Sequence, residues 1–177
     1  RPLSQGQSAQ LVREVPWQCA ISNHLGETMK VRAYKVREWA KLPVRAYETD
    51  AGMDLFFCPE DNALKSIKPR GSVLLSTGLK IEVPEGYMLE IKNKSGIASS
   101  RSLVVGACVV DSGYNGEIFV NLHNIGSLTA MVDPGQKIAQ AVMVPIVYPE
   151  IEEITEDDVY GRQTDRGFGA LGSTGDR

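Results

Sequence analysis

From Met29 onward, short β-type runs succeed one another with a turn signal between almost every pair, and this rhythm limits the chain to one fold class. Val31 to Val36 alternates, and Ser72–Gly78, Leu79–Val83, Tyr87–Lys92, Leu103–Val105, Glu117–Leu122, Ala130–Val132 and Ile138–Val147 follow. The turns are written in Lys68-Pro69-Arg70-Gly71, Val83-Pro84-Glu85-Gly86, Asn124-Ile125-Gly126 and Asp133-Pro134-Gly135. Helical pieces are expected only around Val36 to Ala40 and after Lys94-Ser95-Gly96. The βαβ rhythm of a nucleotide-binding parallel sheet is missing, so the pattern predicts an all-β sandwich or jelly roll.

A chain of 177 residues has enough length for one domain with a sizeable core. Its apolar content of 42% and net charge of −3 exclude a disordered chain and argue against broad electrostatic binding to nucleic acid or to a membrane. A local cationic pocket stays open. Cys19, Cys58 and Cys108 are widely spaced with no CxxC, so neither a zinc site nor a disulfide framework is indicated. No apolar run reaches membrane-spanning length, and the expected location is cytoplasmic, or nuclear in a eukaryotic host. Residues 1–28 are rich in Gln and Ser and lack a period. They read as an extension outside the β domain, or as an arm docking through Val15, Trp17 and Ile21. The β domain is expected over 29–160, and the composition of 161–177, rich in Gly, Ser and Thr, predicts a mobile C-terminal arm.

One stretch, Gly106 to Val120, concentrates chemistry. β-branched runs flank a centre of Ser112, Gly113, Asn115 and Gly116, which predicts a β-hairpin presenting the Asp111 carboxylate and the Tyr114 phenol at its tip. Its free backbone N–H and C=O groups are suited to pairing with the edge of a base. Four other segments carry matching ingredients. Asp54 follows the Gly52 turn at the start of a strand. Lys94-Ser95-Gly96 supplies a cation, a hydroxyl and a flexible residue for an anion nest. Gly135 to Gln140 leads from a Pro-Gly turn into a strand. The tail Arg166-Gly167-Phe168-Gly169-Ala170-Leu171-Gly172-Ser173-Thr174-Gly175 combines an Arg, two hydroxyls and bare N–H groups suited to a polyphosphate.

These five segments, in this order on an all-β chain, resemble the five motifs of the trimeric dUTP pyrophosphatase (dUTPase) family from about Val31 to Gly175. The resemblance implies a jelly-roll-like subunit in a homotrimer, with active sites assembled from all three chains and closed by the C-terminal arm. It implies a dUTP diphosphatase that cleaves dUTP to dUMP and pyrophosphate with Mg²⁺, limiting uracil incorporation into DNA and supplying dUMP for thymidylate synthesis. By resemblance, Asp111 is the general base that orients the attacking water, and Tyr114 packs under deoxyribose and leaves no room for a 2′-hydroxyl. The backbone around Gly106, Val110, Asn115 and Glu117 reads uracil, and Leu171 or Phe168 covers the base. Lys94, Ser95, Gly96 and Gln140 hold phosphates, together with Arg166, Ser173 and Thr174 from the arm, while Asp54 orients a water of the metal.

Four residues depart from the family pattern. Lys94 stands where Arg is usual, Leu171 where an aromatic stacks on uracil, Asn115 for a common Arg and Cys108 for a common Gly. Relatives of the same fold that deaminate dCTP carry a catalytic Glu in the strand after the hairpin. Here Val120-Asn121-Leu122 stands at that place, and Asn cannot serve as acid or base. A nucleotide-sensing or protein-binding role with secondary turnover is the other alternative; Asp111, Tyr114 and the arm argue for catalysis and leave a partner role open to residues 1–28.

Overall fold

The computed structural model describes residues 29–160 together with 164, 165 and 167. Eleven strands make up these residues: β1 Ala33–Lys35, β2 Met53–Phe56, β3 Lys65–Ile67, β4 Ser72–Ser76, β5 Leu79–Ile81, β6 Tyr87–Lys92, β7 Leu103–Val105, β8 Val109–Val110, β9 Phe119–Asn124, β10 Ala130–Val132 and β11 Lys137–Pro145. One helix, α1 (Ser95–Arg101), and a 3₁₀ turn at Glu156–Asp158 complete the described elements. All pairings are antiparallel. The strands form a four-stranded sheet ordered β2-β11-β6-β8, a three-stranded sheet β4-β9-β7, and the pairs β1-β5 and β10-β3. The all-β, jelly-roll-like expectation holds.

Period-two patterning builds the core. In β9 the side chains of Val120, Leu122 and Asn124 are buried while Phe119 and His123 face outward, and in β6 Leu89 and Ile91 point in. Leu89, Ile91, Val120 and Leu122, with Leu55, Leu75, Leu79, Leu103, Ala139 and Ala141 from the neighbouring strands, join a single cluster. The few buried polar groups are satisfied. Asn124 donates to the carbonyls of Ile67 and Leu128 at 2.8 and 2.7 Å and accepts from Gly126 N–H, which ties the β3, β9 and β10 ends together. Thr77 Oγ1 donates to Ile118 O at 2.7 Å.

Two local features bear on the site. In β11 the register against β2 slips between Lys137 and Ala139, a bulge that lets consecutive Ile138 and Ala139 both be buried. The stretch from Gly106 to Val120 is not the hairpin its composition predicts. β8 pairs with β6, and β9 pairs with β4 and β7, so the two arms belong to different sheets. Residues 111–118 form a crossing loop too long for a tight hairpin turn, and each arm pairs with other strands instead of with its neighbour in sequence. Val36 to Ala40 likewise makes only a turn, closed by Ala40 N–H to Arg37 O at 3.0 Å, whereas the helix after Lys94 forms as expected. β3, whose polar Lys65-Ser66-Ile67 gives little signal, is an addition to the sequence-derived strands.

Candidate active site

The sequence-derived residues among those described gather into two groups, which lie at different places on the chain. The first sits where β2, β11 and the end of β6 meet. Asp54 on β2 lies opposite Gln140 on β11, and Gln140 lies opposite Lys92 on β6. The Asp54 carboxylate is buried and is held from both sides: Lys94 Nζ is 2.8 Å from one oxygen and Lys137 Nζ 2.7 Å from the other. Burial alone pushes this carboxyl up, but the hydrogen bonds and charges of Lys137 and Lys94 outweigh it and keep it below the ordinary carboxylate range. Two lysines around one carboxylate leave a net positive cluster. Ser95 and Gly96 open α1 next to Lys94, where their own N–H groups have no helical partner. Gln140 Nε2 donates to Asn93 O at 2.9 Å, fixing the amide next to Lys94.

Lys137 and Asn93 were not singled out by the sequence. Lys137 lies within the Gly135–Gln140 segment, so its motif pointed to it; Asn93 carries no signal of its own. Asn93 also accepts Val105 N–H on Oδ1 at 2.6 Å, which fixes the strand leading to Gly106. Gly106 is packed so closely that a Cβ there would stand 2.2 Å from Asn121 Oδ1 and 2.3 Å from His123 Nε2. Those two side chains are linked at 2.8 Å, and Asn121 Oδ1 also lies 3.4 Å from Ala107 N–H.

The second group is the crossing loop. Val110 pairs with Leu89, and Asp111 follows it into solvent. Tyr114 is half exposed, and its ring lies on Gly116, where an added Cβ would come within 2.3 Å of the phenol oxygen. The phenol donates to Glu117 O at 3.0 Å. The Glu117 carboxylate points away from this surface and is occupied by Arg37 and Gly78 N–H, so only its backbone faces the loop side. Ser112 Oγ donates to Val83 O at 3.1 Å and anchors the loop to the body. Tyr114 and Asn115 border an open cleft of about 680 Å³, shared with Arg32, Tyr34, Glu82 and Val83.

The two groups are not adjacent within the chain. The loop leaves β8 beside Leu89, whereas Lys94 lies beyond the far end of β6. Lys94 lies five positions beyond Leu89, roughly 16 Å along an extended chain. Arg166, Phe168, Leu171, Ser173 and Thr174, together with the extension 1–28, lie outside the described residues. Among the described residues no set of three or more His, Cys, Asp or Glu side chains is placed to hold a metal ion by itself, both cysteines are free, and no helix is long and apolar enough to cross a membrane.

Comparison with known proteins gives a consistent result. The dUTPase family model matches residues 38–175. A deoxyuridine 5′-triphosphate nucleotidohydrolase of Clostridium tetani is 41% identical over 150 residues, covering 84% of this chain and 97% of its own. The protein of the same description from Hydrogenobaculum sp. is 40% identical over 146 residues, 81% of this chain and 99% of its own. Among solved structures, a mutant dUTPase of Staphylococcus bacteriophage 80alpha with dUpNHpp superposes with a TM-score of 0.73 at 24% identity, covering 84% of this chain and 99% of that one. A mutant dUTPase of S. aureus phage phi11, described as revealing the coordination of a structural Mg(II) ion, superposes with a TM-score of 0.66 at 25% identity, covering 73% of this chain and 99% of that one. By its motifs, its fold and this similarity along most of its length, the chain belongs to the dUTPase family.

Proposed function

We propose that this chain hydrolyses dUTP to dUMP and pyrophosphate in active sites shared between copies of a homotrimer. The observation that carries the shared site is the separation of the two groups along β6: the carboxylate and phenol at one end, the phosphate-type cluster at the other. Each group alone is half of a hydrolytic site. A second copy would supply the missing half, and burial of exposed Val147, Tyr148 and Ile151 after β11 would favour the assembly.

In the assembled site Asp111 takes a proton from a water as its oxygen bonds to the α-phosphorus, while the bond from that phosphorus to the bridging oxygen of pyrophosphate breaks. Tyr114 lies under deoxyribose and excludes a 2′-hydroxyl. The backbone around Gly106, Val110, Asn115 and Glu117 reads uracil. Lys94, Ser95, Gly96 and Gln140 bind the phosphates, and the two lysines are already oriented by the buried Asp54 carboxylate before the phosphates arrive. One buried carboxylate beside two ammonium groups suits Mg²⁺ carried on the substrate phosphates rather than in a protein cage, with Asp54 orienting a water of the ion. Bound in this way, the ion would offset the charge developing on the leaving pyrophosphate. From the arm, Arg166, Ser173 and Thr174 contact the terminal phosphates, Leu171 or Phe168 covers the base, and closure excludes bulk water. The division into an extension 1–28, a β domain 29–160 and an arm 161–177, an intracellular location and the supply of dUMP belong to the same reading.

Mixing tests the shared site. Asp111→Asn and Lys94→Met chains are each expected to be nearly inactive. Co-refolded in equal amounts, they should recover about a quarter of the wild-type sites, because each group is then drawn independently from different copies. No recovery would place both groups of a working site on one chain.

A further inference from the structure

The environment of Glu117 ties the sugar side of the site to a residue that none of the five motifs contains. Arg37, in the turn after β1, reaches the Glu117 carboxylate with both arms of its guanidinium: Nη1 donates to Oε1 at 2.7 Å and Nη2 to Oε2 at 3.1 Å. Gly78 N–H donates to the same Oε1 at 2.8 Å. The side chains are only 14% and 12% exposed, so this is a screened, two-pronged pair rather than a surface contact. Backbone bonds next to it fasten the same segment: Ile118 N–H donates to Leu79 O at 2.8 Å. The Glu117 carbonyl, on the other side of the residue, is the acceptor of the Tyr114 phenol at 3.0 Å.

We propose that Arg37 is a positioning residue for Tyr114, acting through Glu117, and that it sets how strictly the site discriminates deoxyribose from ribose. This rests on the reading of Tyr114 as the group beneath the sugar. Two restraints hold the ring: the bare backbone of Gly116 beneath it and the Glu117 carbonyl at its tip. Removing the guanidinium leaves a poorly hydrated carboxylate with a single N–H partner, and such a group turns out toward water. That turn moves residue 117, the phenol loses its acceptor, and the ring gains the freedom that a 2′-hydroxyl needs. A Lys in place of Arg37 keeps the charge but loses the fork that fixes both carboxylate oxygens.

The test compares kcat/KM for dUTP and for UTP in the full chain and its variants. Arg37→Met and Tyr114→Phe are each expected to lower the dUTP/UTP ratio by about tenfold. Combined, they should lower it no further than either alone, because both cut the same connection. Arg37→Lys should fall between Arg37→Met and wild type. An unchanged ratio in Arg37→Met, or additive losses in the double variant, overturns the proposal, since a merely structural role lowers stability without altering sugar choice. Where Arg37→Met does not fold, an unchanged ratio in Arg37→Lys and in Tyr114→Phe overturns it equally. Tyr114→Ala separates the two readings. If it leaves the ratio untouched, Tyr114 does not face the sugar; if it collapses the ratio while Arg37→Met does not, only the role of Arg37 falls.

Discussion

The Asp54 cluster and the Asp111–Glu117 loop solve opposite problems with opposite means. The cluster is built on paired strands, with its carboxylate buried and both oxygens already occupied by lysines. Its charges are oriented before any ligand arrives, which is what stabilising a polyphosphate requires. The loop leaves Asp111 exposed and Tyr114 half exposed, and it is steadied from behind by Ser112, Glu117 and the backbone of Ile118. Its groups are open to solvent, and their positions are borrowed from the body of the domain. On the proposed reading, strands supply the electrostatics, and the anchored loop supplies recognition and proton transfer.

Substitutions can sharpen this contrast. The largest effect is expected at the loop: Asp111→Asn should lower kcat by about 10²–10⁴-fold while dUTP still binds, as calorimetry with the inactive variant would show. Retained turnover would remove the carboxylate from the proton-transfer step. Next comes the cluster, where Lys94→Met should reduce kcat/KM about a hundredfold. The same measurement on Lys137→Met decides what that lysine does. A comparable loss means that both lysines face the phosphates; a loss of thermal stability alone means that Lys137 serves only to hold Asp54. A smaller change is expected for Gly106→Ala. The new methyl must displace the linked Asn121 and His123 side chains and weaken the Ala107 contact, raising KM for dUTP roughly fivefold with kcat little altered.

The smallest effect is on acid stability. Because the folded Asp54 carboxyl sits below its ordinary value of 3.8, its ionised form adds stability that is fully present above that value and is lost as pH falls through the lower folded value. Denaturant titrations should therefore find wild type and Asp54→Asn converging as the pH falls below 3.8, and separated at neutral pH. A gap independent of pH would mean that the lysines stabilise Asp54 no better than water does.

Much of this architecture is legible in the chain. Alternation predicts the strands that carry the core, and the Pro-Gly turns separate them, because burial on one face imposes period two wherever a sheet covers a core. The helix after Lys94 is also readable from its Ser-Gly opening. β3 is not, since Lys65-Ser66-Ile67 has a single buried residue and owes its strand state to β10. The loop between β8 and β9 misleads in a specific way. Two β-branched runs around Gly and Asn look like a hairpin, but which strand pairs with which depends on partners far away in sequence.

Residue types and their order therefore determine that this is an all-β chain, and the motifs place it by resemblance in the dUTPase family, with Asp54, Lys94, Asp111, Tyr114 and Gln140 as the groups to watch. Only the tertiary structure decides that Asp54 is clamped by Lys137 as well as Lys94, that Asn93 joins the Gln140 side of this cluster to the Gly106 strand, and that Arg37 reaches Glu117 across 80 positions of sequence. The reason is physical. Periodicity and turn chemistry are local properties, set by each residue's own backbone and its nearest neighbours. Ion pairs and cross-strand hydrogen bonds exist only after distant segments are brought side by side, and no local pattern records which segments those will be.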